Sequence, residues 1–243
     1  MKTIVIVGFP HCGTTILKNK LGDCSNATEI VDEFGYDRDI PEITKDVKTE
    51  FAIVKSVQNR LNAAKLVEQG HIPIIIIRSP YFVFASLKRR FPKITYINNP
   101  DRDTVRRTRN KSVFMPLGHQ FNDYENLCLQ FIDCIDSKIP GAYAVRYEDL
   151  FKGGLEFLMK NIGLTPPENI SKRNRDYQVV SRFGLKDILD EDDATTEEDH
   201  GAFRTVQINK PFRLMNDPEK LKDLPDRWAR IINNSQAVHR CGY

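Results

Sequence analysis

The sequence predicts an α/β fold of three layers, in which a mainly parallel central sheet carries helices on both faces. Short β-branched runs without polar alternation, at residues 4–7 and 74–77, are typical of strands covered on both sides. Segments with apolar residues at helical spacing alternate with these runs along the chain. Alternating strands and helices predict a sheet that lies between two helical layers.

The first half of the chain supplies three of the predicted strands. Residues 4–7 form a strand that leads through a glycine loop into a helix over 15–21. The runs 51–54 and 74–77 repeat the short apolar pattern. Between them lies a predicted helix whose apolar face carries Leu61, Ala64 and Val67. Together these segments predict a βαβ unit with a right-handed crossover into a parallel pair.

The second half predicts one more strand, at 143–146, and three helices. Glycine and proline end the middle helix, since Gly163 and the pair 166–167 follow it. The last helix begins after Pro225. The apolar positions of the three helices are, in order, Phe121, Tyr124, Leu127, Phe131 and Ile135; Leu155, Leu158 and Ile162; and Trp228, Ile231, Ile232 and Val238.

Composition predicts a single globular domain over residues 1–243, with an apolar fraction of 40% and a charged fraction of 28%. A net charge of +3 argues against a sequence-independent nucleic-acid binder, although a local basic groove for a small anion is compatible with it. Five cysteines without paired short spacings predict reduced thiols and no zinc site. We expect a cytoplasmic protein without a signal peptide or membrane span. The oligomeric state stays open.

Two charged stretches have more than one interpretation. The acidic stretch 187–199 favours a solvated loop or lid over a metal site, because like charges repel and no ligand geometry is implied. The basic residues at 88–90 and 102–111 form either a solvated face or a surface for an acidic acceptor or cofactor phosphates.

Residues 8–15 read Gly-Phe-Pro-His-Cys-Gly-Thr-Thr, which is the spacing of a phosphate-binding loop, G-x-x-x-x-G-K-[ST]. Thr14 stands where nucleotide triphosphatases have the lysine that reaches the β- and γ-phosphates. Backbone N–H groups and the following helix N-terminus still bind an anion without it. The loop therefore predicts a P-loop nucleotide-hydrolase-like fold, with a ligand that has a short phosphate tail and no metal.

The second part of this loop resembles that of sulfotransferases that use 3′-phosphoadenosine 5′-phosphosulfate (PAPS). Their pattern is a proline, a basic residue, a small residue, and then Gly-Thr-Thr or Gly-Thr-Ser. The resemblance implies that PAPS is the cofactor, with 3′-phosphoadenosine 5′-phosphate (PAP) as its product and no metal. The cofactor-binding residues that it implies here are Pro10, His11, Cys12, Gly13, Thr14 and Thr15.

A second motif lies at the end of the strand 74–77. Arg78, a proline two residues on and Ser86 eight residues on look like the family's 3′-phosphate motif. Arginine offers a planar fork that matches phosphate oxygens, and Ser86 adds a hydroxyl donor from the next helix. The resemblance therefore implies that Arg78 and Ser86 bind the cofactor.

Two further segments are similar to the family. Residues 145–150 match its strand-ending R-Y-E-D-L, for which we expect a structural role. The segment 204–212 resembles the C-terminal region where a loop closes over the cofactor, and Arg204 and Lys210 would supply its charges. A plain surface loop is the alternative there. The resemblance covers residues 4–86 and 142–164 well and the rest weakly.

Three residues are candidates for catalysis. Family members have lysine or arginine at the position of His11. The histidine would donate a hydrogen bond, or act as a general acid when it is protonated. Lys55 ends a strand as the family's K-T-P or K-S-P lysine does, near the transfer site. Glu33, 22 residues after His11, resembles the glutamate base of carbohydrate-type and bacterial relatives. Glu29 and Asp32 are rival bases.

The function these motifs predict is transfer of a sulfuryl group from PAPS to a hydroxyl or amine. The acceptor, a small molecule or a carbohydrate, is not identified by any pattern. One alternative is a P-loop nucleotide or small-molecule kinase with a degenerate loop, although Thr14 argues against it. Another is a non-catalytic nucleotide-binding protein of the same fold, which His11 in place of lysine keeps open.

Overall fold

The computed structural model describes residues 1–34, 40–56, 62–90, 117–167, 178–181, 203–206, 214 and 216–243. Its strands are β1 (Lys2–Gly8), β2 (Ala27–Phe34), β3 (Phe51–Ser56), β4 (Ile72–Ile77), β5 (Tyr143–Arg146), β6 (Gln178–Ser181) and β7 (Phe203–Val206). Its α-helices are α1 (Thr14–Gly22), α2 (Ile40–Thr44), α3 (Ala63–Glu68), α4 (Pro80–Arg90), α5 (Leu117–Ile135), α6 (Gly154–Ile162), α7 (Asp226–Asn233) and α8 (Gln236–Arg240). Two 3₁₀ helices, Asp149–Lys152 and Pro218–Asp223, complete the described elements.

Within the described chain, the main sheet has five parallel strands in the order β2-β3-β1-β4-β5. This confirms the predicted α/β class. The predicted strands 51–54 and 74–77 are parallel, as expected of a βαβ unit, but they do not pair with each other, because β1 lies between β3 and β4 and pairs with both. The crossover through α3 therefore passes over the central strand. The carboxyl ends of β1, β3 and β4 consequently lie side by side at one edge.

The two faces of the sheet support two separate apolar cores. Val5 and Val7 point to one face with Ile75 and Ile77, where helices α3, α4, α5, α7 and α8 pack. The intervening residues of β1 and β4 point to the other face, where α1 and α6 pack. This alternation follows from the period of two along a strand. It confirms helices on both faces, which is why residues 4–7 of β1 and the whole of β4 lack polar side chains.

Several helices differ in detail from the predictions. In α3 the buried positions are Ala63 and Leu66, whereas Ala64 and Val67 are half-buried and Leu61 lies outside the described residues. The Asn62 side chain caps this helix by accepting a hydrogen bond from the Lys65 N–H, and so fixes where it begins. A helix that starts there presents Ala63 and Leu66 to the core.

The ends of α5 and α7 also differ from the predictions. Ile135, placed on the apolar face of α5, is 60% exposed because the helix ends at this residue and the chain turns away. Val238 belongs to α8 and not to a continuous last helix. Ser235 breaks that helix in two, since its hydroxyl caps α8 at Val238 and donates to Glu125 at 2.6 Å.

Strand β2 and the antiparallel pair β6 and β7 were not predicted. Among the described strands, β2 lies at the edge of the sheet and pairs with β3 alone. Its sequence, ATEIVDEF, mixes carboxylates with apolar residues. No helix among the described residues is both long enough and apolar enough to cross a lipid bilayer.

Candidate active site

The loop between β1 and α1 leaves the sheet at its carboxyl edge and turns tightly. The Cys12 N–H donates to the Phe9 carbonyl at 3.0 Å, and the backbone φ is 68° at His11 and 90° at Gly13. Positive φ values at alternate residues turn successive N–H groups into a concave nest that suits an anion. His11 adopts this conformation without being glycine, which costs about 1–3 kcal/mol and is typical of functional loops.

Gly13 is required at its position by both backbone and space. A Cβ there would lie 2.6 Å from Cε2 of Tyr147, the residue that follows β5. The loop therefore rests directly on this tyrosine ring. Gly13 is also the N-cap of α1, and no side chain among the described residues caps the first N–H groups of this helix. Such a helix start favours a bound anion.

Arg78 follows β4 and holds the loop from the side. Its Nη1 donates to the His11 carbonyl at 3.0 Å, and its Nε donates to Asn216 Oδ1 at 2.7 Å. The guanidinium carbon lies 4.7 Å from the centre of the Tyr147 ring, in cation–π contact. Only 7% of Arg78 is exposed. A hydrogen bond from Arg78 thus joins the two predicted anion-binding motifs.

Ser86 lies beside the same loop. Its Oγ is 3.1 Å from Nδ1 of His11, a hydrogen bond in which either atom is the donor. Helix α4 carries Ser86 at this point because Arg78 and Ser79 directly precede the helix. His11, Arg78 and Ser86 therefore form one cluster at the carboxyl edge of β1 and β4.

Lys55 lies one residue before the end of β3 and is 3% exposed. Its Nζ donates to Thr15 Oγ1 at 3.2 Å. A hydroxyl at this loop position binds magnesium in nucleotide triphosphatases. In this chain an ammonium group contacts the hydroxyl, and its charge opposes a cation at the same place.

The three carboxylates considered as bases lie in β2. The backbone of Glu33 is in register with Lys55 across the β2 and β3 pair. Glu29 forms an ion pair with Lys18 of α1 at 3.1 Å. Asp32 lies in the same strand. Among these three carboxylates, Glu33 is therefore the one whose backbone is in register with Lys55, another candidate for catalysis.

Cys12 lies inside the loop but is completely buried. Burial raises the pKa of its thiol to about 12, despite the nearby positive charge of Arg78. At this pKa the Cys12 thiol is protonated at neutral pH. Because the thiolate is the reactive form of cysteine, Cys12 is not expected to act as a nucleophile.

Glu148 is a central residue of the site, although only a structural role was predicted for its segment, 145–150. Its Oε1 accepts from the Ser79 N–H at 3.0 Å and from Asn216 Nδ2 at 2.9 Å. Its Oε2 accepts from the Tyr243 hydroxyl at 2.8 Å. Burial, and then the charge of Glu148, raise the pKa of Tyr243 well above its ordinary value.

A signal for Glu148 and Tyr147 was present in the sequence. β5 pairs with β4 so that Arg146 lies opposite Ile77, and the Tyr147 N–H donates to the Ile77 carbonyl at 2.7 Å. Residues that follow adjacent parallel strands meet at one edge. The segment 145–150 therefore lies at the same edge as Arg78, although only a structural role was predicted for it. By contrast, no local pattern indicated Asn216.

Of the two C-terminal candidates, Arg204 is among the described residues. Arg204 is part of β7, where its backbone pairs with Val180 of β6. Lys210 lies outside the described residues, as do the stretches 102–111 and 187–199.

The fold and the loop define an α/β protein with a concave backbone nest at the carboxyl edge of its sheet. No protein-family model and no curated protein matches the chain. Solved structures that match include a sulfotransferase domain from the curacin biosynthetic pathway, with a TM-score of 0.47, 14% identity, and coverage of 70% of this chain and 76% of that one. They also include mouse sulfotransferase SULT7A1 complexed with PAP, with a TM-score of 0.43 and 14% identity. That match covers 70% of this chain and 61% of the mouse protein, so the chain spans about three fifths of the mouse protein's length.

Proposed function

We propose that this chain is a sulfotransferase that moves a sulfuryl group from PAPS to a hydroxyl or amine of a small-molecule or carbohydrate acceptor. The observation that carries the proposal is the hydrogen bond between Arg78 and the His11 carbonyl at 3.0 Å. It joins the loop at residues 8–15, which has the spacing of a phosphate-binding loop, to Arg78. Arg78 and Ser86 resemble the arginine and serine with which PAPS-dependent sulfotransferases bind the 3′-phosphate. Two adjacent anion sites suit a nucleotide with phosphate groups on both its 3′ and 5′ positions.

The loop residues would bind the 5′ end of PAPS. Backbone N–H groups of the nest and the start of α1 donate to its oxygens. The hydroxyls of Thr14 and Thr15 add donors at the same end. Arg78 and Ser86 would bind the 3′-phosphate, for which a guanidinium fork and a hydroxyl are suitable donors.

Lys55 and His11 would stabilise the leaving group. Negative charge develops on the 5′-phosphate as the sulfuryl group departs, and a preorganised cation in a buried site lowers the energy of that state. Lys55 is buried and contacts Thr15. His11 would donate a hydrogen bond to the same oxygens, assisted by its contact with Ser86.

Glu33 would accept the acceptor's proton. A carboxylate near the transfer site serves as a general base when it is partly removed from water. The register that sets Glu33 opposite Lys55 supports this assignment over Glu29, which has an ion pair with Lys18.

A P-loop kinase is less well supported. It needs magnesium beside the loop hydroxyl and a lysine on the terminal phosphate. Thr14 occupies the lysine position, and the ammonium of Lys55 contacts the hydroxyl of Thr15. Both features favour a metal-free donor.

Thermal melting tests the proposal. PAP is expected to raise the melting temperature in buffer that contains EDTA, because a ligand that binds only the folded state stabilises it. A rise that occurs only with ATP and magnesium would overturn the proposal. Mass spectrometry of products, after incubation of PAPS with a panel of alcohols, phenols, amines and sugars, then separates an enzyme from a nucleotide-binding protein without activity.

A further inference from the structure

Glu148 is connected to the Arg78 guanidinium through one intermediate side chain. Asn216 donates through Nδ2 to Glu148 Oε1 at 2.9 Å and accepts through Oδ1 from Arg78 Nε at 2.7 Å. The amide therefore has one defined orientation, because its nitrogen faces a carboxylate and its oxygen faces a guanidinium. Arg78 and Asn216 lie 138 residues apart in the chain.

Glu148 is itself held from two other sides. The Ser79 N–H donates to the same Oε1 that binds Asn216, and the Tyr243 hydroxyl donates to Oε2. Ser79 directly precedes α4, the helix that carries Ser86. The carboxylate thus connects the residue after Arg78, the C-terminal segment at Asn216 and the C-terminal tyrosine.

Contacts with Asn216, His11 and Tyr147 orient the guanidinium of Arg78. Asn216 fixes its Nε edge, the His11 carbonyl fixes Nη1, and the Tyr147 ring lies against its face at 4.7 Å. An arginine makes a bidentate contact to phosphate only when its plane is aligned with the oxygens, so this orientation controls the contact.

We propose that Glu148 is a positioning residue that, through Asn216, sets the plane of the Arg78 guanidinium and thereby gives the site its selectivity for a nucleotide with a 3′-phosphate. This inference rests on the proposed function for its ligand, but the orientation of Arg78 is testable without any ligand. Groups that surround a binding residue commonly fix its geometry in this way.

The first test is ligand-free. Arginine Nε–H signals are recorded by ¹⁵N NMR, and the Arg78 signal is assigned by its absence in Arg78→Lys. In the wild type this proton is expected to exchange slowly with water, because it is buried and hydrogen-bonded. In Asn216→Ala and Glu148→Ala we expect its exchange to be at least about tenfold faster, since a hydrogen bond to a charged group is lost. Unchanged exchange in both variants would overturn the positioning role, whatever the ligand.

The second test compares PAP with adenosine 5′-phosphate, which lacks the 3′-phosphate. Calorimetry is expected to show that Asn216→Ala and Glu148→Ala weaken PAP binding by about tenfold or more while adenosine 5′-phosphate binding changes little. Glu148→Gln keeps an acceptor for Asn216 and is expected to retain more of the selectivity. The double variant should lose no more than the larger single loss, because both residues act through the same contact.

The matched control is Glu125→Gln, which changes another carboxylate that accepts a side-chain hydrogen bond, from Ser235. It is expected to lower the melting temperature without changing the ratio of the two affinities. If Glu148→Ala lowers the melting temperature and leaves that ratio unchanged, Glu148 is only structural and the inference is wrong. A wild type that binds neither nucleotide, with the NMR result intact, would instead contradict the proposed function and its selectivity while leaving the orientation by Glu148 supported.

Discussion

The Arg78 side chain donates a hydrogen bond to the backbone carbonyl of His11 at 3.0 Å, across 67 residues of sequence. This contact joins the end of β4 to the loop that follows β1. It also explains why an arginine is suited to this position, since one guanidinium supplies a donor to the loop, a donor to Asn216 and a flat face for Tyr147.

Replacement of Arg78 by lysine tests the 3′-phosphate assignment. Lysine keeps the charge but loses the planar fork, so PAP affinity is expected to fall by roughly 10- to 100-fold, as for the loss of a charge-assisted hydrogen bond. Calorimetry measures the change.

The matched control for Arg78 is Arg146→Lys, at the end of the neighbouring strand, where the arginine pairs with Asp149. That variant is expected to bind PAP as the wild type does. Equal losses in both variants would count against a specific role for Arg78.

Gly13→Ala is expected to destabilise the protein strongly. An alanine at this position would have a φ of 90°, which costs about 1–2 kcal/mol of backbone strain. Its Cβ would also overlap the Tyr147 ring, which adds an overpacking cost of about 1–3 kcal/mol. Gly153 has a φ of 91° with nothing within 4 Å of its Cβ position, and provides the control. Urea unfolding of Gly153→Ala should show only the strain. Similar losses in the two variants would mean that the loop does not rest on Tyr147.

Much of the fold was predictable because it depends on local patterns. β5 has the predicted bounds, 143–146, and α6 ends at Ile162, before Gly163, whose left-handed backbone stops the helix. β2 was missed because the carboxylates in its sequence, ATEIVDEF, interrupt the apolar run. The order of the strands was also missed, since the pairing of β1 with β3 and β4 depends on contacts far apart in sequence.

The same difference between local patterns and distant contacts applies to the residues of the candidate site. The loop and Arg78 follow strands directly, so short motifs identify them. Asn216 has no such marker, since its role depends on a contact with Arg78 from a distant part of the chain. Glu148 lay in a recognised segment but needed the β4 and β5 pairing to gain a role.

Lys55→Met is expected to reduce turnover. Methionine is unbranched and neutral, so the variant loses the buried charge beside Thr15, and kcat should fall by about 10²–10³-fold with PAP binding less affected. The change in kcat is measured from the rate at which PAP is released, with the acceptor that product analysis identifies.

The control for Lys55 is another buried lysine. Lys18→Met removes the ion pair with Glu29 and should lower stability without lowering kcat. If Lys55→Met turns over at the wild-type rate, its catalytic role is wrong.

The thiol of Cys12 is expected to resist alkylation in the folded protein. Its pKa of about 12 leaves about one thiolate in ten thousand at pH 8, and burial blocks access. Reactivity should rise with pH and on unfolding in urea. Cys134 is half-buried and should react first with iodoacetamide, as peptide mass spectrometry would show. Early labelling of Cys12 at pH 8 would contradict its burial.

The central claim is that the loop and Arg78 together bind a nucleotide with phosphates on both sides of the ribose, without metal. Isothermal titration of the wild-type protein in EDTA tests it most directly, with PAP and adenosine 5′-phosphate as the two titrants. We predict that PAP binds at one site and at least about tenfold more tightly, because Arg78 adds a charge-assisted contact to the 3′-phosphate. Equal affinities, or no binding of PAP, would contradict the claim.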